Sequence, residues 1–180
     1  MRVGVPHPES VADHSYRLAV MCLLIGPRLG LNADAMIRLA LLHDLAEARV
    51  GDLTPVDRVT SEEKRQREAV AFAEIVEGLP EGLALDDLWR EYEAGATPEA
   101  RIVRQLDKLE MALQALEYER QFGARRVGRG AVRAARRGRR ASAGEPGESW
   151  ADEFWATARA ALTEPLLIQF YDYLWGQRPR

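Results

Sequence analysis

Apolar residues recur along most of this chain three or four positions apart, the spacing of one helical face, and nowhere alternate over the length a strand needs. The pattern predicts an all-α protein, a single bundle of six to seven helices. The first opens at Ser10-Val11-Ala12-Asp13, which fits a capping box, carries Val11, His14, Leu18, Met21 and Ile25 as one stripe, and ends near Gly26-Pro27. A second opens at Asn32 or Ala33, aligns Met36, Leu39, Leu42 and His43, and is expected to run on until Gly51 stops it. Thr54-Pro55 then turns the chain. Residues 62–78 predict a third helix with Ala69, Phe72, Ile75 and Val76 on its apolar side and charge crowded into its first half. Residues 86–94 predict a shorter fourth, carrying Leu88, Trp89 and Tyr92. Thr97-Pro98, a cap followed by a first-turn proline, starts a long fifth helix that runs to about Phe122. Its buried face includes Ile102, Val103, Leu106, Leu109, Leu113 and Leu116, and Asp107 falls inside that apolar tract.

At residues 123–147 the composition turns abruptly to Arg, Ala and Gly, with eight arginines at 125–140 and no acid until Glu145. Such a segment has little to bury and is expected to form a mobile loop. Two closing helices follow, over 150–162 and 164–175. With 180 residues the chain is expected to be one domain, long enough to bury its own core. Apolar residues at 47%, charged residues at 29% and a formal charge of −3 are ordinary for a soluble protein and give no general attraction to nucleic acid or an anionic membrane. No signal-peptide pattern opens the chain, and no apolar run approaches the roughly 20 residues that would span a bilayer, so a cytoplasmic protein is expected. The single Cys22, four residues after Leu18, is expected to pack as a small hydrophobe.

Four polar groups stand where helical spacing predicts burial: His14 in the first helix, His43 and Asp44 in the second, Asp107 in the fifth. A buried imidazole beside carboxylates needs a proton or a metal. Two imidazoles and two carboxylates form a mixed nitrogen and oxygen donor set suited to a divalent ion such as Mn, Co, Mg, Zn or Fe rather than a thiol-loving one. Glu47 follows His43 one turn later, and Asp52 comes just past the helix end. Each feature has a plainer reading: His14 as a core imidazole, Asp13 as a capping partner, Asp107 as a salt-bridged helix residue beside Lys108. Glu9 and Arg17 could support the first imidazole or simply pair with each other, and Lys108 and Glu110 are expected to point away from Asp107. His7, between two prolines, reads as structural or solvent-facing.

Three stretches carry a resemblance: Pro8-Glu9-Ser10-Val11-Ala12-Asp13-His14-Ser15-Tyr16-Arg17; Ala40-Leu41-Leu42-His43-Asp44-Leu45-Ala46-Glu47 with Gly51-Asp52-Leu53-Thr54-Pro55; and Gln105-Leu106-Asp107-Lys108-Leu109-Glu110. In this order they resemble the HD-domain metal-dependent phosphohydrolases, specifically the YfbR and HD-domain-containing protein 2 group of 5′-deoxynucleotidases, over core motifs at 8–122. The resemblance implies a metal held by His14, His43, Asp44 and Asp107. It implies catalytic roles for Glu47 and Asp52, or a second ion at Glu47, Asp52 and Leu53, with Asp52, Leu53 and Thr54 near the substrate. It also implies a nucleotide substrate, a deoxyribonucleoside 5′-monophosphate cleaved to deoxynucleoside and phosphate, and a homodimer. A short basic and tryptophan-bearing helix that the group carries ahead of the first motif is not found before Ser10 in this sequence. The alternatives are an HD hydrolase or oxygenase acting on another phosphorylated substrate, and a non-catalytic nucleotide-binding HD module. No nucleic-acid or membrane partner is expected, the arginine-rich loop being the one feature that could argue otherwise.

Overall fold

The computed structural model describes residues 8–51, 60–123 and 149–179. Among them there is no strand, and seven helices have ten residues or more, so the chain is all-α. The described residues divide into two compact units, one formed by Glu9–Asp107 and the other built from Lys108 onward.

The Glu9–Asp107 unit begins with α1 (Val11–Ile25), a 3₁₀ turn (Gly26–Leu29) and α2 (Ala33–Leu42), which packs on α1. A single turn, α3 (Glu47–Val50), precedes α4 (Ser61–Val76) and α5 (Gly82–Ala94), and the unit ends in the first ten residues of α6 (Pro98–Phe122). The helices start where local chemistry supplies a partner for their free N–H groups. Ser10 and Asp13 form the anticipated capping box on α1, with the Asp13 N–H donating to Ser10 Oγ (3.2 Å) and the Ser10 N–H to Asp13 Oδ2 (3.0 Å). Thr60 and Glu63 repeat that box on α4, and the Asn32 side chain caps α2. Asp13 is thereby a capping residue, its pKa lowered chiefly by the Ser10 hydroxyl.

Two boundaries differ from the sequence expectation. α5 starts at Gly82, four residues early, where the backbone runs so close to the preceding helix that a β-carbon on Gly82 would stand 2.5 Å from the Val76 carbonyl oxygen. More consequential is the second helix, which does not run to Gly51 but breaks after Leu42. The Ala40 carbonyl, which Asp44 N–H would need in a continuing helix, is taken by His43 Nδ1 at 2.8 Å. The His43 carbonyl, which Glu47 would need, accepts from the Trp89 indole at 3.3 Å. The backbone then proceeds through bonds three residues apart, from Leu45 to Leu42 and from Glu47 to Asp44.

Around this break sits a cluster of Ala46, Ala71, Phe72, Val76 and Trp89, with Leu42, Leu45 and Leu85 packed against it. Phe72 and Trp89 stack at 5.3 Å with their planes 18° apart. Burying each is worth about 1.5–3 kcal/mol, enough to hold α4 and α5 together. α1 buries Leu18, Cys22 and Ile25, whereas Val11 is exposed and Met21 only half-buried. The face that α1 turns inward is therefore centred on His14, Leu18 and Cys22 rather than on the stripe through Met21.

The second unit comprises the rest of α6 with α7 (Asp152–Ala161) and α8 (Pro165–Gly176). Trp155 is fully buried there, edge-on to Tyr171 and Trp175. Glu119 of α6, also buried, accepts from Arg178 (3.0 and 2.6 Å), from the Trp155 indole (3.2 Å) and from Ser149. No helix of the described residues is long and apolar enough to cross a membrane.

Candidate metal centre

The site lies where α2 ends. His43, the C-cap of α2, keeps helical backbone and a buried ring, and the side chain of the next residue, Asp44, brings its Oδ2 to 3.1 Å from His43 Nε2. His14, one turn into α1, brings its Nε2 to 3.3 Å from His43 Nε2, 3.7 Å from Asp44 Oδ2 and 3.3 Å from Asp107 Oδ1 of α6. All four residues lie within the Glu9–Asp107 unit, and the donor atoms of His14, His43 and Asp107 fall within 4.8 Å of one another.

This spacing fits a metal. Donor atoms about 2.0–2.2 Å from one ion, at right or tetrahedral angles, stand roughly 2.8–3.6 Å from each other. The chemistry of the donor set agrees. His43 Nδ1 donates to the Ala40 carbonyl, which leaves Nε2 as the lone pair facing the cluster. Burial alone would discourage a charged His43, yet Asp44 and Asp107 outweigh it and raise its pKa: the place calls for positive charge. The side chain of His43 is 1% exposed and that of Asp44 30%, so the cluster opens to solvent on the Asp44 side.

Two residues of α5 that sequence pattern assigns only to the core support this centre. Trp89 and Tyr92 are three residues apart and share a face. Trp89 holds the His43 carbonyl, and the Tyr92 hydroxyl donates to Asp107 Oδ2 at 3.2 Å while its ring lies against the His43 ring at 5.1 Å. Burial foremost, then the Asp107 and Asp44 carboxylates, raises the Tyr92 pKa, so the phenol keeps its proton. The signal was available in the sequence as two aromatics with polar ends at helical spacing, but it does not distinguish a supporting face from an ordinary core face.

Glu47 opens α3 and is half-buried, with Lys64 Nζ of α4 at 4.0 Å from its Oε1. Lys64 is itself 3.4 Å from Glu68, one turn on, whose pKa is raised by burial, lowered by Lys64 and raised further by Glu93 and Asp44. Lys64 and Glu68 had been indistinguishable from the other charges crowding the start of α4. Glu9 and Arg17 pair at 3.8 Å. Glu110, expected to point away from Asp107, is fully buried. Asp52, Leu53 and Thr54, the expected substrate and second-ion residues, lie outside the described residues, as do His7 and the arginines of 125–140.

Comparison with known proteins follows the same lines. The family model described as HD domain matches residues 1–132. A Xenopus laevis protein named 5′-deoxynucleotidase HDDC2 is 51% identical over 117 residues, 64% of this chain and 58% of the relative. The chain thus spans somewhat under three fifths of that relative's length. Among solved structures, the PH0347 protein from Pyrococcus horikoshii OT3 superposes with a TM-score of 0.67 at 29% identity, covering 97% of this chain and 85% of its own. A predicted metal-dependent phosphohydrolase from Magnetospirillum magnetotacticum MS-1 does so with a TM-score of 0.55 at 26% identity, over 96% and 83%.

Proposed function

Because this chain belongs to the HD domain family, we propose that it is a divalent-metal-dependent phosphomonoester hydrolase, and specifically a 5′-deoxynucleotidase that releases deoxynucleoside and inorganic phosphate. The observation that supports the reading is the approach of His43 Nε2 (3.3 Å), Asp107 Oδ1 (3.3 Å) and Asp44 Oδ2 (3.7 Å) to His14 Nε2. The Xenopus relative's name, 5′-deoxynucleotidase HDDC2, supports the substrate class.

In this reading the four side chains hold the ion, which when bound supplies Lewis acidity toward a phosphoryl oxygen and lowers the pKa of water. Substrate enters from the Asp44 side, where the cluster is open. The attacking water loses a proton, its oxygen bonds to phosphorus, the bond from phosphorus to the sugar 5′ oxygen breaks, and that oxygen takes up a proton. Glu47 moves this proton, being a half-buried carboxylate whose backbone N–H is bonded to the Asp44 carbonyl. Asp52, Leu53 and Thr54 complete the substrate side of the proposal, with a second ion at Glu47, Asp52 and Leu53 as its extended form. A cytoplasmic compartment and a homodimeric state belong to the same proposal, and light scattering on the purified protein tests the latter.

The decisive experiment strips the protein with a chelator and measures phosphate release from ribo and deoxyribo nucleoside 5′-monophosphates with Mn, Co, Mg, Zn or Fe restored singly. Release should require a divalent ion and favour the deoxy substrates, and Asp44→Ala should lose ion and activity together. Full activity in the stripped protein, or in Asp44→Ala, would overturn the reading. Turnover that consumes oxygen would point instead to an HD oxygenase.

A further inference from the structure

The two oxygens of Asp107 have different neighbours. Oδ1 stands 3.3 Å from His14 Nε2 and so faces the imidazole cluster, whereas Oδ2 accepts the Tyr92 hydroxyl at 3.2 Å. A carboxylate with both oxygens free can meet an ion through one oxygen or two, and the choice changes the size of ion that fits. Here one oxygen is already engaged.

Tyr92 is itself held firmly. Its side chain is buried, its ring centroid lies 5.1 Å from that of His43, and the Arg104 guanidinium lies 5.6 Å from it. Arg104 also donates to the Tyr92 and Glu93 carbonyls (3.0 and 2.5 Å), while Arg101 donates to those of Gly95 and Ala96 (3.2 Å each). Arg104 therefore caps carbonyls in the last turn of α5 and Arg101 those just past its end, both from the helix that carries Asp107. The tyrosine and the carboxylate it meets are tied through backbone as well as side chain. The hydroxyl is thus placed by the fold rather than by chance contact.

We infer that Tyr92 is a positioning residue that pins Asp107 by Oδ2, so that Asp107 offers the ion a single oxygen in a fixed direction. This rests on the reading of Asp107 as a ligand and adds what sets its orientation. Outer partners of this kind typically contribute 10- to 100-fold in metal affinity.

The test is Tyr92→Phe, which removes the hydroxyl and keeps the ring against His43. Calorimetric titration of the chelator-stripped protein with Mn or Co should show affinity reduced about 10- to 100-fold, with the thermal midpoint of the stripped variant within a few degrees of the wild type. Affinity within twofold of the wild type would overturn the inference. Asp107→Ala is titrated alongside. If it loses the ion while Tyr92→Phe keeps full affinity, the ligand reading stands and only the role of Tyr92 falls; if Asp107→Ala binds as the wild type does, both fall. A second measurement does not depend on the variant folding. The Tyr92 ring carbon bearing the hydroxyl should shift in the carbon-13 spectrum of the wild-type protein on addition of Mg or Zn, and a resonance that stays in place counts against the inference.

Discussion

His43 is asked to do two things that an unbroken helix would not allow together. Its Nδ1 donates to the carbonyl four residues before Asp44, and its own carbonyl accepts from Trp89, so the helical ladder ends there while the Asp44 carboxylate lies beside the ring. That His14, His43 and Asp107 would be buried was legible in the sequence, because each sits on an apolar helical face and burying a polar group without a partner costs several kcal/mol. Their partners were not legible. Tyr92 and Lys64 look like core and surface until another helix brings Asp107 or Glu47 to them. For Glu47 the expected consequence is kinetic: Glu47→Gln should slow phosphate release by about 100-fold or more, the usual weight of a positioned acid or base. The first ion should still bind with an affinity near that of the wild type, as calorimetry would show. Unchanged turnover would remove the proton-transfer role. Cys22, read as a packing thiol, is buried on α1, and burial pushes its pKa up to about 12, so it carries no reactivity that the site could use.

At the scale of elements, α1 and α6 were foreseen nearly residue by residue because their starts carry local signals: the box at Ser10 and Asp13, and, ahead of Pro98, Thr97, whose hydroxyl accepts from the Ala100 N–H at 3.1 Å. The start of α5 had no such signal. Glu81 makes no side-chain cap, and Gly82 is required there only because α4 passes close by, a fact that belongs to packing. Gly82→Ala should therefore destabilise the protein by about 1–3 kcal/mol, although alanine is the better helix former, since its β-carbon has to push against a backbone carbonyl. Urea unfolding measures this, and a gain in stability would show that α4 and α5 can part at little cost. The displaced α5 would carry Trp89 and Tyr92 with it, so a loss of metal affinity in the same variant is part of the expectation.

Over the whole molecule, the chain separates into a unit that contains the four donors and one built around Trp155, Glu119 and Arg178. In the latter, Arg178 lies over the Trp155 and Trp175 rings while pairing with Glu119 and Asp152. Removing one member of a buried pair leaves the other desolvated and unpaired. Glu119→Ala should accordingly cost about 3–5 kcal/mol in chemical denaturation, and a cost below about 1 kcal/mol would mark the pair as no more than a surface contact. The amino-acid order by itself determined the helical class and the burial of His14, His43 and Asp107, though not of Asp44, because periodicity and burial cost act along a single helix. Only the tertiary structure decided where the second helix breaks, which oxygen of Asp107 faces the imidazoles, and that Tyr92, Trp89 and Lys64 attend the site. Those outcomes depend on carbonyls and carboxylates delivered from helices far away in sequence, and no local pattern records such meetings.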